Sequence, residues 1–165
     1  AVIVGLGDIG ENLAKRLRAH DVDVYFVDPN VSQAAAGKLA RKATWPNILS
    51  SVDFVIFTAP LNSSTHHMFN TQLLGYLKKG IKLVNVGRGP LVEESALIEG
   101  LSAGLIASAA LDVFENEPVS RETHAALLKY SSRLVLGSHN GSNTNEAVTF
   151  VSRKCISRLY EFLND

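Results

Sequence analysis

The first ten residues decide the fold, and they read Ala1-Val2-Ile3-Val4-Gly5-Leu6-Gly7-Asp8-Ile9-Gly10. An apolar run ends there in a Gly-x-Gly-x-x-Gly turn, and a segment with helical periodicity follows it. Eighteen residues after Gly10, Asp28 follows a second apolar run, Val24-Tyr25-Phe26-Val27. A strand, a glycine turn, a helix and an acidic residue in this order predict a dinucleotide-binding βαβ unit. The alternative is a glycine-rich turn in some other α/β domain.

The glycine turn predicts how the pyrophosphate of a dinucleotide would be held. Gly5 allows the tight turn, Gly7 lets the backbone approach the pyrophosphate, and Gly10 lets the helix pack close to the strand. The helix begins around Asp8 and Ile9, where unpaired N–H groups and the helix dipole favour an anion. We therefore expect these five residues to contact the cofactor.

Asp28 also predicts which dinucleotide binds. Its carboxylate is expected to accept hydrogen bonds from the ribose hydroxyls and to repel a 2′-phosphate. The predicted cofactor is therefore NAD rather than NADP.

Composition excludes several other classes of protein. The chain has 165 residues, 46% of them apolar, and a formal net charge of zero, so neither a nucleic-acid surface nor an anionic-membrane surface is indicated. No apolar run is long enough to span a bilayer, and no signal-peptide pattern is present. The single cysteine, Cys155, excludes an internal disulfide and favours a reducing, cytoplasmic location. Its helical spacing predicts a core position.

Apolar runs alternate with helix-period segments along the whole chain. We predict strands near 1–5, 22–27, 52–58, 81–86, 106–111 and 133–137, and helices near 9–19, 31–42, 70–77, 92–102, 121–130 and 144–163. This alternation predicts an α/β fold with a doubly wound parallel sheet, a Rossmann-type domain covering residues 1–165. The sequence shows no linker and no second domain, so a substrate domain is expected to be absent from this chain.

Three later segments carry chemistry beyond a cofactor fold. They are Val84-Asn85-Val86-Gly87-Arg88-Gly89-Pro90-Leu91-Val92-Glu93-Glu94-Ser95-Ala96-Leu97, Ala109-Ala110-Leu111-Asp112-Val113-Phe114-Glu115-Asn116-Glu117-Pro118 and Gly137-Ser138-His139-Asn140-Gly141-Ser142-Asn143-Thr144-Asn145-Glu146-Ala147. Each follows a predicted strand at the carboxyl edge, where open α/β sheets bind ligands. One arginine, one glutamate and one histidine are thereby brought to one rim. Alone, each would be an ordinary surface residue.

With these segments in order, the chain resembles the NAD-binding domain of the D-isomer-specific 2-hydroxyacid dehydrogenases. The resemblance covers nearly the whole chain and includes Thr58-Ala59-Pro60-Leu61, which is similar to the family's segment under the nicotinamide. The family's N-terminal substrate-domain portion and its C-terminal return segment have no counterpart in this sequence. The resemblance implies a small 2-hydroxy or 2-keto acid as the partner, phosphoglycerate-like or glyoxylate/hydroxypyruvate-like, and a homodimer.

The resemblance also implies a role for each charged residue. Arg88 would bind the substrate carboxylate bidentately, and His139 would be the general acid–base. Glu117 would hydrogen-bond the other imidazole nitrogen and fix its tautomer. Asp112 would orient the nicotinamide carboxamide, and Gly141 would leave room beside that ring. We expect all three catalytic residues to be directed into one cleft.

Smaller residues are implied to line the cofactor through backbone and short side-chain contacts. They are Thr58, Ala59, Pro60, Val86 and Gly87, with Arg88 and His139 also touching the cofactor.

The chain departs from the commonest family pattern at three positions, and alternatives stay open. Gly87, Ser138 and Asn140 stand where alanine, proline and an apolar residue are usual. These departures concern the positioning of His139, while the charged side chains are intact. One alternative is a non-catalytic NAD(H)-sensing module that resembles a corepressor. Another is a formate or phosphite dehydrogenase of the same family. No zinc site is indicated by the histidines.

Overall fold

A computed structural model describes residues 1–164, and a seven-stranded sheet forms its centre. The strands are β1 (Val2–Val4), β2 (Tyr25–Val27), β3 (Arg41–Lys42), β4 (Phe54–Phe57), β5 (Ile81–Asn85), β6 (Ile106–Leu111) and β7 (Leu134–Leu136). All six neighbouring pairs are parallel, in the order β3-β2-β1-β4-β5-β6-β7. The strand order reverses between β1 and β4, which is the point where such sheets bind dinucleotides.

Within residues 1–164, four α-helices and four short 3₁₀ segments lie between strands, and a fifth α-helix follows the last strand. The helices are α1 (Asp8–Ala19), α2 (Gln33–Ala36), α3 (Glu94–Ser102), α4 (Ala125–Leu128) and α5 (Asn145–Asn164). The 3₁₀ segments are Asn47–Ser50, Thr71–Tyr76, Gly89–Leu91 and Ser131–Arg133. None of the helices within residues 1–164 combines the length and apolarity that crossing a membrane would need.

The sheet is covered on both faces by apolar side chains. One cluster includes Phe57, Leu83 and Leu97, and the other includes Ile3 and Phe26. Alternate residues of β1 enter opposite clusters because successive side chains in a strand point to opposite faces. The predicted doubly wound parallel fold is confirmed.

The predicted helix over 31–42 is wrong. The structure has only one turn, α2, which Gly37 ends with φ +56°, a conformation that favours glycine. The chain then forms β3, an edge strand of two residues that was not predicted because so short an element shows no periodicity. The predicted helices near 70–77 and 121–130 are likewise a 3₁₀ segment and the single turn α4.

The core position predicted for Cys155 is also wrong. Cys155 is exposed, and α5 contains no buried residue. The helical spacing of apolar residues correctly predicts the helix α5. However, no other element within residues 1–164 covers the apolar face of this helix. Asp165, the last residue of the predicted domain, lies outside the described residues.

Candidate active site

The glycine turn between β1 and α1 is shaped by close backbone contacts. Gly5 has φ +93°, and a Cβ there would lie 2.7 Å from the backbone of Ala59. A Cβ on Gly10 would lie 2.2 Å from the Gly5 carbonyl oxygen, so any side chain would force α1 away from β1. Gly7 has open space around it and caps α1 without a side-chain hydrogen bond. The first-turn N–H groups therefore have no side-chain partner at this cap.

Asp28 and Thr58 tie the neighbouring strands to this turn. Asp28 Oδ2 accepts from the Leu6 N–H at 2.9 Å, and its Oδ1 accepts from the Asn30 N–H at 2.8 Å. The Thr58 hydroxyl donates to the Gly5 carbonyl at 2.6 Å. Asp28 and Gly5 line one cavity of about 330 Å³, together with Pro29, Ala59, Pro60, Thr65 and other residues of these loops. This end of the site joins the carboxyl ends of β1, β2 and β4.

A second cleft of about 390 Å³ lies at the carboxyl end of β5 and β6. It is lined by Ile9, Val86, Gly87, Arg88, Asp112, Val113, His139, Gly141 and Ser142. Ile9 and Val86 are exposed apolar side chains at the positions expected to contact the cofactor. Arg88 and His139, which are 51 residues apart in the sequence, thus line the same cleft.

Glu117 and His139 form a hydrogen-bonded pair. His139 Nδ1 lies 2.8 Å from Glu117 Oε2, and the two side chains are 49% and 35% exposed. Glu117 Oε1 accepts from the Phe114 N–H at 3.0 Å, so the carboxylate is held by its own turn as well. His139 has φ +55°. With Nδ1 engaged by Glu117, Nε2 is the imidazole nitrogen left for proton transfer.

These contacts lower the pKa of Glu117. The hydrogen bond with His139 is the largest cause, the Phe114 N–H is the second, and partial burial opposes both. The ionised form of Glu117 is thereby favoured. A carboxylate that stays charged is the form that orients an imidazole and stabilises its protonated state.

Arg88 lies at the start of the turn after β5. One guanidinium nitrogen, Nη1, donates to the Gly87 carbonyl at 2.8 Å. Asn85 is buried, and it braces the turn by donating to the Arg88 carbonyl at 2.9 Å and accepting from the Gly87 N–H at 3.1 Å. A Cβ on Gly87 would lie 2.8 Å from Leu91 Cδ1, so the glycine found here relieves a crowded position.

Asp112 holds the histidine loop. Its Oδ2 accepts from the Gly141 N–H at 3.0 Å, and its Oδ1 accepts from the Asn140 N–H at 3.4 Å. A Cβ on Gly137 would lie 2.3 Å from the same carboxylate. Asp112 therefore holds the backbone directly after His139 and packs closely against Gly137 before it, contacts that the sequence did not predict.

Gly89 is a structural requirement that sequence reasoning missed. A Cβ there would lie 1.7 Å from the Phe114 carbonyl oxygen and 2.6 Å from the Glu115 nitrogen. The turn that carries Arg88 and the turn that carries Glu117 therefore touch backbone to backbone. The only sequence signal was a glycine directly after Arg88.

The residues fit NAD. A cradle without Cβ atoms at Gly5 and Gly10, a helix start without a side-chain cap, and the acid Asp28 after β2 match a pyrophosphate and a ribose. In contrast, no three His, Cys, Asp or Glu side chains within residues 1–164 are grouped to hold a metal ion.

Comparisons with known proteins place the chain in one family. Residues 1–141 match the family model described as D-isomer specific 2-hydroxyacid dehydrogenase, NAD binding domain. The chain is 38% identical, over 98% of its length and 50% of the relative, to a putative 2-hydroxyacid dehydrogenase of Staphylococcus epidermidis. It is 34% identical, over 97% of its length and 30% of the relative, to D-3-phosphoglycerate dehydrogenase of Bacillus subtilis.

A solved structure agrees with these matches. The crystal structure of a glyoxylate reductase from Paecilomyes thermophila superposes with a TM-score of 0.80 and 33% identity, covering 88% of this chain and 43% of that one. The chain therefore belongs to the D-isomer specific 2-hydroxyacid dehydrogenase family, as its NAD-binding domain, and its cofactor is NAD. It spans about half the length of the first curated relatives that it matches.

Proposed function

We propose that the chain, residues 1–165, is the cofactor domain of an NAD-dependent oxidoreductase that interconverts small 2-hydroxy and 2-keto acids. The observation that carries the proposal is the hydrogen bond between Glu117 and His139, at 2.8 Å, because His139 also lines the cleft that contains Arg88 while Glu117 lines a neighbouring cleft. An acid–base pair beside an arginine suits a substrate with a carboxylate next to a reacting carbonyl.

The proposed roles of the residues follow from their contacts. Arg88 binds the substrate carboxylate, which brings the adjacent carbonyl towards His139. When NADH is bound, it supplies the hydride that adds to the carbonyl carbon. His139 donates the proton from Nε2 to the carbonyl oxygen in that direction and removes it in the reverse direction. Glu117 keeps Nδ1 protonated and stabilises the positive charge on the ring.

We also propose that this domain alone turns over slowly or not at all. The Glu117 and His139 side chains are 35% and 49% exposed, so the described residues leave the pair open to water. Hydride transfer requires the two carbons to be held at roughly 3–3.5 Å with water excluded. A second surface closing over the cleft is expected to supply that enclosure. A phosphoglycerate-like or a glyoxylate/hydroxypyruvate-like substrate agrees with the names of the relatives.

A turnover screen of the complete protein tests this function. The substrates are hydroxypyruvate, glyoxylate and 3-phosphoglycerate, with formate and phosphite as members of other reaction types. NADH- or NAD-linked turnover of one of the first three would support the proposal. Tight NADH binding with no turnover of any of the five compounds would instead favour a redox-sensing module.

A homodimer and a cytoplasmic location belong to the same proposal. The family resemblance supports the dimer, and a single exposed cysteine with no disulfide partner supports a reducing compartment. Light scattering of the complete protein and cell fractionation test the two statements. A monomer at micromolar concentration, or recovery outside the cytoplasm, would contradict them.

A further inference from the structure

Three loops meet beside the acid–base pair, and Glu115 lies where they meet. The loops are residues 65–70 after β4, residues 87–93 after β5 and residues 112–118 after β6. Glu115 Oε1 lies 2.7 Å from His67 Nε2, and Glu115 Oε2 accepts from the Glu94 N–H at 2.6 Å. The Glu115 side chain is only 22% exposed. One carboxylate therefore links the first loop and the start of α3 to the loop that contains Glu117.

Glu115 lies in a tight turn that also holds the Glu117 carboxylate. The Phe114 N–H donates to Glu117 Oε1 at 3.0 Å, and Glu115 lies between these two residues. On the opposite side, the Phe114 carbonyl and the Glu115 nitrogen fill the space in which a Cβ of Gly89 would lie. A shift of Glu115 is therefore expected to disturb the turn that holds Glu117 against His139.

His67 has a backbone conformation that is unusual for a residue with a side chain. Its φ is +49°, in the left-handed region, and its N–H donates to the Pro90 carbonyl at 2.7 Å. Glycine would adopt this conformation without strain. The imidazole makes a contact that glycine cannot make, the one with Glu115.

Further titratable groups pack around this contact. His124 is 1% exposed, its Nδ1 pairs with the Thr123 hydroxyl at 2.7 Å, and its Nε2 has no hydrogen-bond partner among residues 1–164. That nitrogen lies 3.4 Å from Glu94 Oε2. Burial raises the pKa of Glu94, and nearby Glu115 adds to the rise while His124 opposes it. The proposed chemistry uses none of these groups.

We propose that Glu115, held by His67, is a positioning residue that keeps the Glu117 carboxylate on His139 Nδ1. The expected effect of Glu115 on turnover rests on the proposed function. The expected effect on the Glu117 pKa does not, since that pKa is measured without a substrate.

The test compares Glu115→Ala, Glu115→Gln and an exposed control on α3, Glu99→Ala. The readouts are the Glu117 carboxyl pKa, from ¹³C NMR titration of this chain, and kcat and KM of the complete protein. Glu115→Ala is expected to raise the Glu117 pKa and to lower kcat about tenfold to a hundredfold, with the KM for NADH unchanged. Glu115→Gln is expected to keep the Glu117 pKa and kcat close to the wild-type values, because its amide oxygen can still accept a hydrogen bond from the Glu94 N–H. The control is expected to match the wild type.

A second variant, His67→Gly, separates positioning from stability. It removes the imidazole and relieves the left-handed backbone, so the unfolding temperature is expected to stay the same or rise. The Glu117 pKa and kcat are nevertheless expected to change in the same direction as in Glu115→Ala. Should Glu115→Ala fail to fold, His67→Gly decides the matter, because it leaves Glu115 in place and removes only its imidazole partner.

Two outcomes separate this inference from the proposed function. A wild-type Glu117 pKa and wild-type kcat in His67→Gly and in folded Glu115→Ala would overturn the positioning role. If the variants shift the Glu117 pKa but the complete protein oxidises no 2-hydroxy acid, the positioning role stands and the proposed function falls.

Discussion

The two ends of the site are built in different ways. At the β1–α1 end, Gly5 and Gly10 are buried, and the backbone contacts around them leave no space for a Cβ. At the other end, Glu117 and His139 are partly exposed, and polar contacts between loops hold them in place. Close backbone contacts and hydrogen bonds occur at both ends, but Gly5 and Gly10 are buried at the proposed cofactor end, whereas the acid–base side chains are partly exposed. Substitutions are therefore expected to separate cofactor binding from catalysis.

The largest effect is expected from His139→Ala in the complete protein. Removing the proposed general acid–base should lower kcat by about a hundredfold to ten-thousandfold, because His139 is the proposed proton donor to the carbonyl oxygen. The affinity for NADH should fall far less than kcat, since the β1–α1 end is intact and His139 is only one of the expected cofactor contacts. Steady-state kinetics and calorimetric NADH titration measure the two quantities. His20→Ala, at an exposed histidine after α1, is the matched control. Normal turnover in His139→Ala would remove the acid–base assignment.

Gly89→Ala tests whether backbone contact joins the two turns. Its Cβ would overlap the Phe114 carbonyl, so we expect a loss of about 3 kcal/mol in the free energy of unfolding. Urea denaturation of this chain measures it. Gly75→Ala is the control, because a Cβ at Gly75 meets nothing within 4 Å. Equal stability of the two variants would show that the turns are not held in direct contact.

Asp28→Ala is expected to change the choice of cofactor. The carboxylate is expected to repel a 2′-phosphate, so its removal should narrow the preference for NADH over NADPH by about tenfold. It should also weaken NADH binding, because Asp28 accepts from the Leu6 N–H next to the glycine turn. Calorimetry with both cofactors measures the ratio. A wild-type protein that binds NADPH as tightly as NADH would contradict the role given to Asp28.

The smallest effect is expected at the Glu117 carboxylate. Its pKa is lowered in the folded state, so the stability that it contributes is present above its ordinary pKa and is lost as the pH falls through the lowered value. The wild type should exceed Glu117→Gln in the free energy of unfolding by less than about 1 kcal/mol near neutral pH, since the pair is partly exposed. Urea denaturation between neutral and acidic pH should show the difference vanishing in acid. A difference independent of pH would contradict the pairing.

The sequence predicted the sheet better than its connections. Six strands could be predicted because each corresponds to an apolar run long enough to indicate a buried strand. The glycine turn indicated where α1 begins. The prediction of a helix over 31–42 was wrong because Gly37 ends α2 after one turn. The alanine-rich sequence favours a longer helix and does not indicate this early end. The prediction that Cys155 lies in the core was wrong because helical periodicity identifies an apolar face but does not show whether another element covers that face.

The candidate site shows the same division. Arg88, Glu117 and His139 were singled out because their segments follow strands that end at one edge of the sheet. The roles of Gly89 and Glu115 could not be predicted, since both depend on contacts between loops that are distant in the sequence. The Asp112 contacts with the histidine loop belong to this class as well.

We expect one cofactor molecule to span both ends of the site, from the glycine turn to the cleft that contains His139. NADH titration of this chain, followed by backbone amide NMR, tests it most directly. We predict that the Gly5, Gly7 and Gly10 signals and those of Val86 and Gly141 shift together with a single dissociation constant. Shifts confined to one end, or two separate dissociation constants, would contradict the claim.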